Sequence, residues 1–300
     1  MAAKAVAGTK ILGRKACGFN SRPGHQPLSG AAVSPLASPD RVTSLLDEIF
    51  APRVAVRVYG LGAIVFGLVG LVWGDFSVVW QLDLDRPPPQ TVIAYAATVP
   101  FLVAGLATQW KPAAWRGALA LTVLYGLGAV VLWIPRALKD PMIFGTWEGA
   151  AEQVALVAGG LIAYAALAPI KTSVAARLFM IGRLLFGMCL IIFGLAHFFY
   201  LKFTADMVPA WLPPSQNFWV YATAVGHLAA GVAMLSGILV RVAGMLLTAM
   251  FVVFGILVHV PAVYLDPHSH NNWTENAINF ALIGSAWVIA ASFPSRKPAA

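Results

Sequence analysis

Apolar residues run in long, nearly uninterrupted stretches along this chain, separated by short polar segments. Stretches of roughly 20 apolar residues match the thickness of the hydrocarbon core of a bilayer. Because lipid offers the backbone no hydrogen-bond partners, such segments form helices. The pattern predicts eight membrane-spanning helices: Val54–Gly74, Thr91–Gln109, Trp115–Ile134, Ala150–Ile170, Arg177–Tyr200, Phe218–Gly237, Val242–Tyr264 and Glu275–Phe293.

The chain also repeats itself with an offset of 126 to 127 residues. The matching segments are Phe66–Leu68 with Phe193–Leu195, Tyr95–Ala107 with Tyr221–Ala233, and Asp140-Pro141 with Asp266-Pro267. Each half holds an even number of spans, so both halves insert with the same orientation and form a parallel repeat. The predicted fold is therefore an all-α polytopic membrane protein with eight transmembrane helices, arranged as two tandem parallel four-helix bundles.

The repeat divides the chain into four parts. Residues 51–172 form a first membrane repeat that is degenerate, and residues 173–293 form a second repeat that bears the histidines, the two being joined by a linker around Lys171–Ser173. Residues 1–50 are basic, contain no acid before Asp40 and cannot build a core, so they are predicted to be a disordered leader. A transit peptide would have a similar composition. Val42–Phe50 is predicted to be a short interfacial helix, and residues 294–300 a tail.

Composition and charge place the protein in a membrane. The chain is 59% hydrophobic and 11% charged, whereas soluble domains carry about 25% charged residues. Of its 20 Lys and Arg residues, all but Arg86, Arg136, Lys139 and Lys202 fall on the side of the N-terminus. This bias predicts that both termini are cytoplasmic. The net charge of +8 is therefore a topology signal, and no nucleic-acid partner is expected.

Several kinds of chemistry are absent from the sequence. Cys17 lies in the leader and Cys189 in a span, so an intrachain dithiol mechanism is excluded. No phosphate-binding loop is present. Nine of the twelve acids, Glu148 and Glu152 among them, are assigned to the outer side, and no paired carboxylates are expected inside the membrane.

Three histidines lie within predicted spans of the second half. They are His197, His227 and His259, and the matching positions of the first half hold Gly70, Phe101 and Trp133. Ionisable groups inside a membrane are functional candidates. Helical rise and side-chain direction place all three at a similar depth in the outer leaflet. We therefore expect them to converge if their helix faces agree.

Other polar and aromatic residues are predicted near the same level. The predicted pocket contains His197, His227, His259, Tyr200, Trp211, Glu275 and Asn276. Imidazole and carboxylate groups suit a transition metal such as zinc, copper or iron. The predicted metal ligands are His197, His227, His259, Asp266, His268 and His270. A quinone is the alternative ligand, with His197 and Tyr200 as the favoured pair.

Structural explanations of these residues stay open at this stage. The three histidines would also be accounted for by hydrogen bonds to a neighbouring helix. His268 and His270 would also suit a solvated loop. Most of the tyrosines and tryptophans match the aromatic belt that forms at any membrane interface.

The second half resembles the DoxX-like family of four-helix membrane proteins. The resemblance covers roughly Ile181–Ser292 and is carried by Gly194, His197-Phe198, the run Met207–Pro213 and the block Gly226–Gly231. It implies a four-helix membrane fold and a bacterial inner-membrane location. It also implies a link to redox biology, through small subunits of a thiosulfate:quinone oxidoreductase and maturation factors of periplasmic redox enzymes.

Three functional hypotheses follow. The first is a membrane component of a redox system, such as a subunit of a quinone-linked oxidoreductase. Its outward-facing, histidine-rich pocket would bind a metal or quinone, and its partners would be lipid and membrane or periplasmic redox subunits. The second is a non-enzymatic accessory or assembly protein that binds partner subunits. The third is a small-molecule transporter. Convergence of the three histidines favours the first hypothesis, dispersal favours the second, and a polar path between the halves favours the third.

Overall fold

The computed structural model describes Glu48, residues 51–74 and residues 89–293. Within these ranges every regular element is a helix, so the prediction of an all-α protein is confirmed. Apart from Glu48, which is helical, the predicted leader and the predicted interfacial helix Val42–Phe50 lie outside the described residues, and so does the tail. The helices are α1 (Pro52–Trp73), α2 (Pro89–Gln109), α3 (Ala114–Lys139), α4 (Phe144–Leu167), α5 (Thr172–Phe199), α6 (Leu201–Met207), α7 (Gln216–Ser236), α8 (Val240–Leu265) and α9 (His270–Ser292).

Six of the described helices are long and apolar enough to cross a membrane, as expected of a multi-pass membrane protein. They are α1, α3, α4, α5, α7 and α8. The other two long helices, α2 and α9, are not in this set. In α9 the apolar run is interrupted by buried polar residues, namely Thr274, Asn276, Asn279 and Ser285. The described apolar part of α2, Ala94–Gln109, is shorter.

Two helices extend beyond the apolar runs that predicted them. Helix α4 begins at Phe144 rather than Ala150, because its first turn is capped by another helix end: the Gly145 N–H donates to the Tyr200 hydroxyl at 2.8 Å. Helix α5 begins at Thr172, so the turn after α4 comprises Ala168–Lys171. The predicted linker around Lys171–Ser173 therefore overlaps the first turn of α5.

Helices α3 and α8 share an internal irregularity. Each widens into a five-residue π-helical segment, Ala129–Trp133 in α3 and Gly255–His259 in α8. A proline follows two residues later in each case, Pro135 and Pro261. Because proline has no N–H to donate to the preceding turn, the regular ladder cannot continue through it. The wider turn lets the helix continue past the proline.

The helix packing joins the two predicted halves closely. Helix α1 packs against α2 and α9, and α4 packs against α3 and α5. Helix α5 also packs against α7. Helix α9 packs against α8 and contacts α4. The most extensive contact lies between the first and last long helices, and Thr43–Ala300 forms one compact unit. The two predicted halves are therefore in extensive contact with each other.

Small residues let the helices of the two halves approach each other. A methyl group on Gly284 of α9 would stand 2.2 Å from the backbone nitrogen of Tyr59 on α1. The Tyr59 hydroxyl donates to the Leu156 carbonyl of α4 at 2.8 Å. Without a hydrophobic drive between helices in lipid, close backbone approach and interhelical hydrogen bonds of this kind hold helices together. The centre of the core is thus formed by α1, α4 and α9.

Candidate functional site

Two of the three predicted histidines meet where α5 crosses α7. His197 lies near the C-terminal end of α5, and His227 lies in the middle of α7. Their ring centroids are 5.1 Å apart, with the ring planes tilted by 49°. His227 is 2% exposed, whereas His197 is half-buried. The pair therefore extends from the protein surface into the core.

A backbone hydrogen bond sets the orientation of each imidazole. His197 Nδ1 lies 2.7 Å from the Phe193 carbonyl oxygen, and His227 Nδ1 lies 3.0 Å from the Thr223 carbonyl oxygen. Each acceptor lies one helical turn before its histidine, because side chains lean toward the N-terminus of their helix. A carbonyl oxygen only accepts, so Nδ1 carries the hydrogen in both rings.

Aromatic side chains surround the inner histidine. The ring centroids of Phe193, Phe251 and Phe254 lie 5.9, 5.7 and 6.2 Å from that of His227. Spacings of this size are those of aromatic contacts in protein cores. None of these rings carries a hydrogen-bonding group, so His227 lies in apolar surroundings.

A similar cluster lies in the first half, where the central ring is a phenylalanine. The Phe101 ring lies 5.0 Å from Phe66 and 5.0 Å from Tyr125. These three positions precede Phe193, His227 and Phe251 by 126 or 127 residues. The location of His227 is therefore suited to an aromatic ring of either kind, and what histidine adds there is its two nitrogen atoms.

The predicted six-ligand metal site is not assembled. Among the described residues, no group of three or more His, Cys, Asp or Glu side chains is placed to hold a metal ion. His259 belongs to the π segment of α8, which packs against α9. Among the described residues it therefore forms no three-ligand cluster with the other two histidines.

The remaining predicted metal ligands have local structural contacts. Asp266 accepts a hydrogen bond from the His268 N–H at 3.2 Å within an exposed turn. His270 is the first residue of α9 rather than part of a loop. The Ser269 hydroxyl oxygen caps that helix by accepting a hydrogen bond from the Asn272 N–H at 3.2 Å. The His270 ring stacks on Trp73, with centroids 5.2 Å apart. His270 therefore lies on a helix, whereas His268 lies in the preceding turn.

Two aromatic residues of the predicted pocket have other surroundings. The Tyr200 hydroxyl accepts the Gly145 N–H of α4 and so caps a helix, whereas the hydrogen bond of His197 is to the Phe193 carbonyl. Trp211 is 71% exposed and lies in the segment between α6 and α7. Sequence proximity to His197 suggested both residues, but the helix that carries His197 ends at Phe199, before either of them.

The last two predicted pocket residues lie on α9, which packs against α1, α4 and α8. Asn276 is 7% exposed, and its Oδ1 atom has no hydrogen-bond partner within the described part of the chain. Glu275 is close enough to Glu148 for their charges to interact. These residues therefore belong to the region where α4 meets α9.

Glu148 and Glu152 are further polar residues of this region, and the charge pattern of the sequence assigned both to the outer side. Both lie in α4, four residues apart and so on one side of the helix, and the charge of Glu152 interacts with Glu148 and Glu275. The neighbouring Gln153 is fully buried, with neither polar atom partnered within the described residues. The spacing of the two glutamates was the available signal, but the hydropathy pattern began the helix too late to include both.

Comparison with known proteins assigns a family model to part of the chain. The model described as Domain of unknown function (DUF8561) matches residues 186–290, which include all three span histidines. The predicted DoxX-like assignment is therefore wrong, since this is the family model that the second half matches. No curated protein and no solved structure matches the chain. The fold and the site accordingly define a class, an all-helical protein with several helices suited to cross a membrane.

Proposed function

We propose that this protein is a membrane component of a redox system, and that the His197–His227 pair binds a quinone-type ring. The observation that carries the proposal is the contact of the two imidazoles at 5.1 Å within an aromatic cluster. Because the described residues include no three-ligand cluster, we propose an organic ligand rather than a metal.

The chemistry of the pair supports such a ligand. Imidazole can exchange a proton near neutral pH and can hydrogen-bond to a ring oxygen. Ionisable groups inside membranes are rare and mark ligand or proton sites. His197 is half-buried, so a ligand arriving from the protein surface would reach it first. Phe193 and Phe251 offer apolar ring surface beside His227.

We further propose that α2 and α9 also cross the membrane, which makes eight spans with both termini cytoplasmic. Helix α9 has 23 residues, and at ~1.5 Å per residue it is long enough to span a bilayer. Its polar residues face neighbouring helices rather than lipid, which accounts for its lower hydropathy. The distribution of Lys and Arg supports the orientation. The bacterial location implied by the DoxX-like resemblance loses its support together with that resemblance.

Several paired features support our proposal that the eight spans arose as two tandem four-helix units. Both π segments are followed by a proline, at an offset of 126 residues. The Trp147 indole donates to the Pro141 carbonyl at 3.1 Å, and the Trp273 indole donates to the Pro267 carbonyl at 3.0 Å. A ring stack joins α4 to α5 through Phe144 and Phe199, and another joins α9 to α1 through His270 and Trp73.

One observation favours an accessory or assembly protein as the second candidate. Phe203 of α6 and Trp211 in the following segment are 69% and 71% exposed. Exposed aromatic residues at the end of a span suit either the membrane interface or a partner subunit. On this reading His227 serves packing, as Phe101 does in the first half.

Ligand binding to the purified full-length protein distinguishes the two candidates. The protein would be isolated in mild detergent, extracted for bound quinone and titrated with a short-chain quinone in its oxidised and reduced forms by equilibrium dialysis. Wild type should bind stoichiometrically. His227→Phe should lose binding while remaining folded, because phenylalanine occupies the matching position of the first half, Phe101, within a similar aromatic cluster. His268→Ala, which changes an exposed histidine, is the matched control and should bind as wild type does.

Failure of wild type to bind any quinone, in either oxidation state, would overturn the proposal. The accessory-protein candidate would then be tested by a photo-reactive residue at position 211. A crosslink to one membrane protein would support it, and crosslinks to lipid alone would contradict it.

A further inference from the structure

The hydrogen bonds of the histidine pair determine which kind of polar atom the site presents. In both rings the hydrogen of Nδ1 is used by a carbonyl oxygen of the same helix, at 2.7 Å in His197 and 3.0 Å in His227. A neutral imidazole carries one hydrogen, so its other nitrogen is an acceptor. Nε2 is therefore the acceptor in each neutral ring.

The surroundings of the pair add no compensating donor. Among the described residues, no group donates a hydrogen bond to Nε2 of either histidine. The rings around His227 are those of Phe193, Phe251 and Phe254, which have neither donors nor acceptors. The site thus offers two hydrogen-bond acceptors in apolar surroundings.

A doubly protonated pair would reverse this pattern, since an imidazolium donates through both nitrogens. Two positive charges would then stand about 5 Å apart in a site lined by phenylalanines. Like charges at that distance repel strongly when water is excluded. No carboxylate forms an ion pair with either ring among the described residues. The geometry therefore favours neutral rings.

We propose that the site selects a ligand that donates hydrogen bonds, namely the hydroxyl-bearing reduced form of a quinone or another ring alcohol, over a ligand that carries carbonyl oxygens alone. This inference rests on the proposed function and assigns the ligand class of the same site. A quinol hydroxyl would donate to Nε2 of His197 or His227. A quinone carbonyl oxygen only accepts hydrogen bonds, as does Nε2, so neither atom would have a donor.

The direct test compares three ring compounds of matched shape, with the full-length protein in detergent under anaerobic conditions. They are a short-chain quinol, its quinone and its dimethyl ether, which has oxygen atoms but no donor. The quinol should bind at least about tenfold more tightly than the other two, as expected for one additional hydrogen bond in an apolar site. His227→Phe should bind none of the three compounds, and the preference should shrink in His197→Gln, whose amide can donate as well as accept.

A second measurement does not depend on ligand binding. Nitrogen NMR of protein labelled in histidine reports which ring nitrogen carries hydrogen, and the signals are assigned with His197→Gln and His227→Phe. Both rings should be in the form with hydrogen on Nδ1. Hydrogen on Nε2 of either ring would overturn the inference.

The possible outcomes separate the two proposals. Binding of none of the three compounds would remove the proposed function and this inference together. Equal binding of quinol and quinone, or tighter binding of quinone, would overturn the selectivity while leaving a quinone-type site in place. Equal binding of quinol and dimethyl ether would show that ring shape rather than hydrogen bonding determines affinity, which also overturns the inference.

Discussion

A methyl group at Gly255 should break a buried hydrogen bond at the π segment of α8. Asn279 of α9 is 3% exposed, and its Nδ2 donates to the Phe251 carbonyl at 3.2 Å. The methyl group of Gly255→Ala would stand 2.8 Å from that nitrogen. The asparagine side chain is the flexible partner, so it should rotate away and leave its amide without a hydrogen bond.

The size of the effect follows from two opposing contributions. A buried amide without its partner costs about 1 to 3 kcal/mol. Alanine is favoured over glycine inside a helix by roughly 0.5 to 1 kcal/mol. Gly255→Ala should therefore destabilise the protein by roughly 1 kcal/mol, within a range of about 0 to 2.5 kcal/mol. In an Asn279→Ala background no amide remains to be displaced, so the same substitution should stabilise the protein by roughly 0.5 to 1 kcal/mol.

The assay is a double-mutant cycle on the purified protein. Unfolding in mild detergent by added SDS, followed by far-ultraviolet circular dichroism, would give the free energy of unfolding for wild type, both single variants and the double variant. The sign of the Gly255→Ala effect should reverse between the two backgrounds. Effects that agree within about 0.5 kcal/mol would mean that the two sites are independent, and the proposed displacement of Asn279 would be wrong.

Three further substitutions test the packing and the corrected positions. Gly284→Ala should destabilise the protein by about 1 to 3 kcal/mol in the same unfolding assay, because its methyl group would clash with the backbone of α1. The control is Gly126→Ala, whose methyl group would be 3.8 Å from its nearest neighbour and which should not destabilise the protein. Tyr200→Phe should cost about 0.5 to 2 kcal/mol by uncapping α4 at Gly145, without weakening ligand binding; weakened binding would return Tyr200 to the site. Glu152→Gln should stabilise the fold at neutral pH by removing one of three neighbouring carboxylates. The gain in stability should vanish at acidic pH, where all three carboxyl groups are protonated. A gain that persists in acid would mean that packing, rather than charge, causes the effect.

The histidine pair could be predicted only in part from the sequence. The depth of His197 and His227 follows from residue counts along their helices, and the contact between their rings agrees with it. Depth does not specify the direction around a helix axis. His259 lies at a suitable depth but belongs to the segment of α8 that packs against α9. The π segment before Pro261 changes the helical rotation there, so an ideal helix cannot place its side chain.

The acidic residues were missed for a different reason. Hydropathy begins a span where apolar residues begin, and Glu148 and Glu152 precede most of the apolar run of α4. Helix α4 nevertheless begins at Phe144, because the hydroxyl of Tyr200, at the end of α5, accepts a hydrogen bond from the Gly145 N–H in its first turn. A hydrogen bond across 55 residues leaves no mark on the local pattern.

By itself the sequence determined that the described chain is helical, and it located the six apolar helices that are long enough to cross a membrane. Both properties are local, because an apolar segment must satisfy its own backbone. The tertiary structure decided which helices are neighbours, including the contact of α1 with α9. Lipid and protein interior are both apolar, so polarity does not show which face of a span packs inward. Which face packs inward depends on local shape complementarity, such as the close approach of Gly284 to the backbone of Tyr59. This complementarity exists only once the helices are in contact.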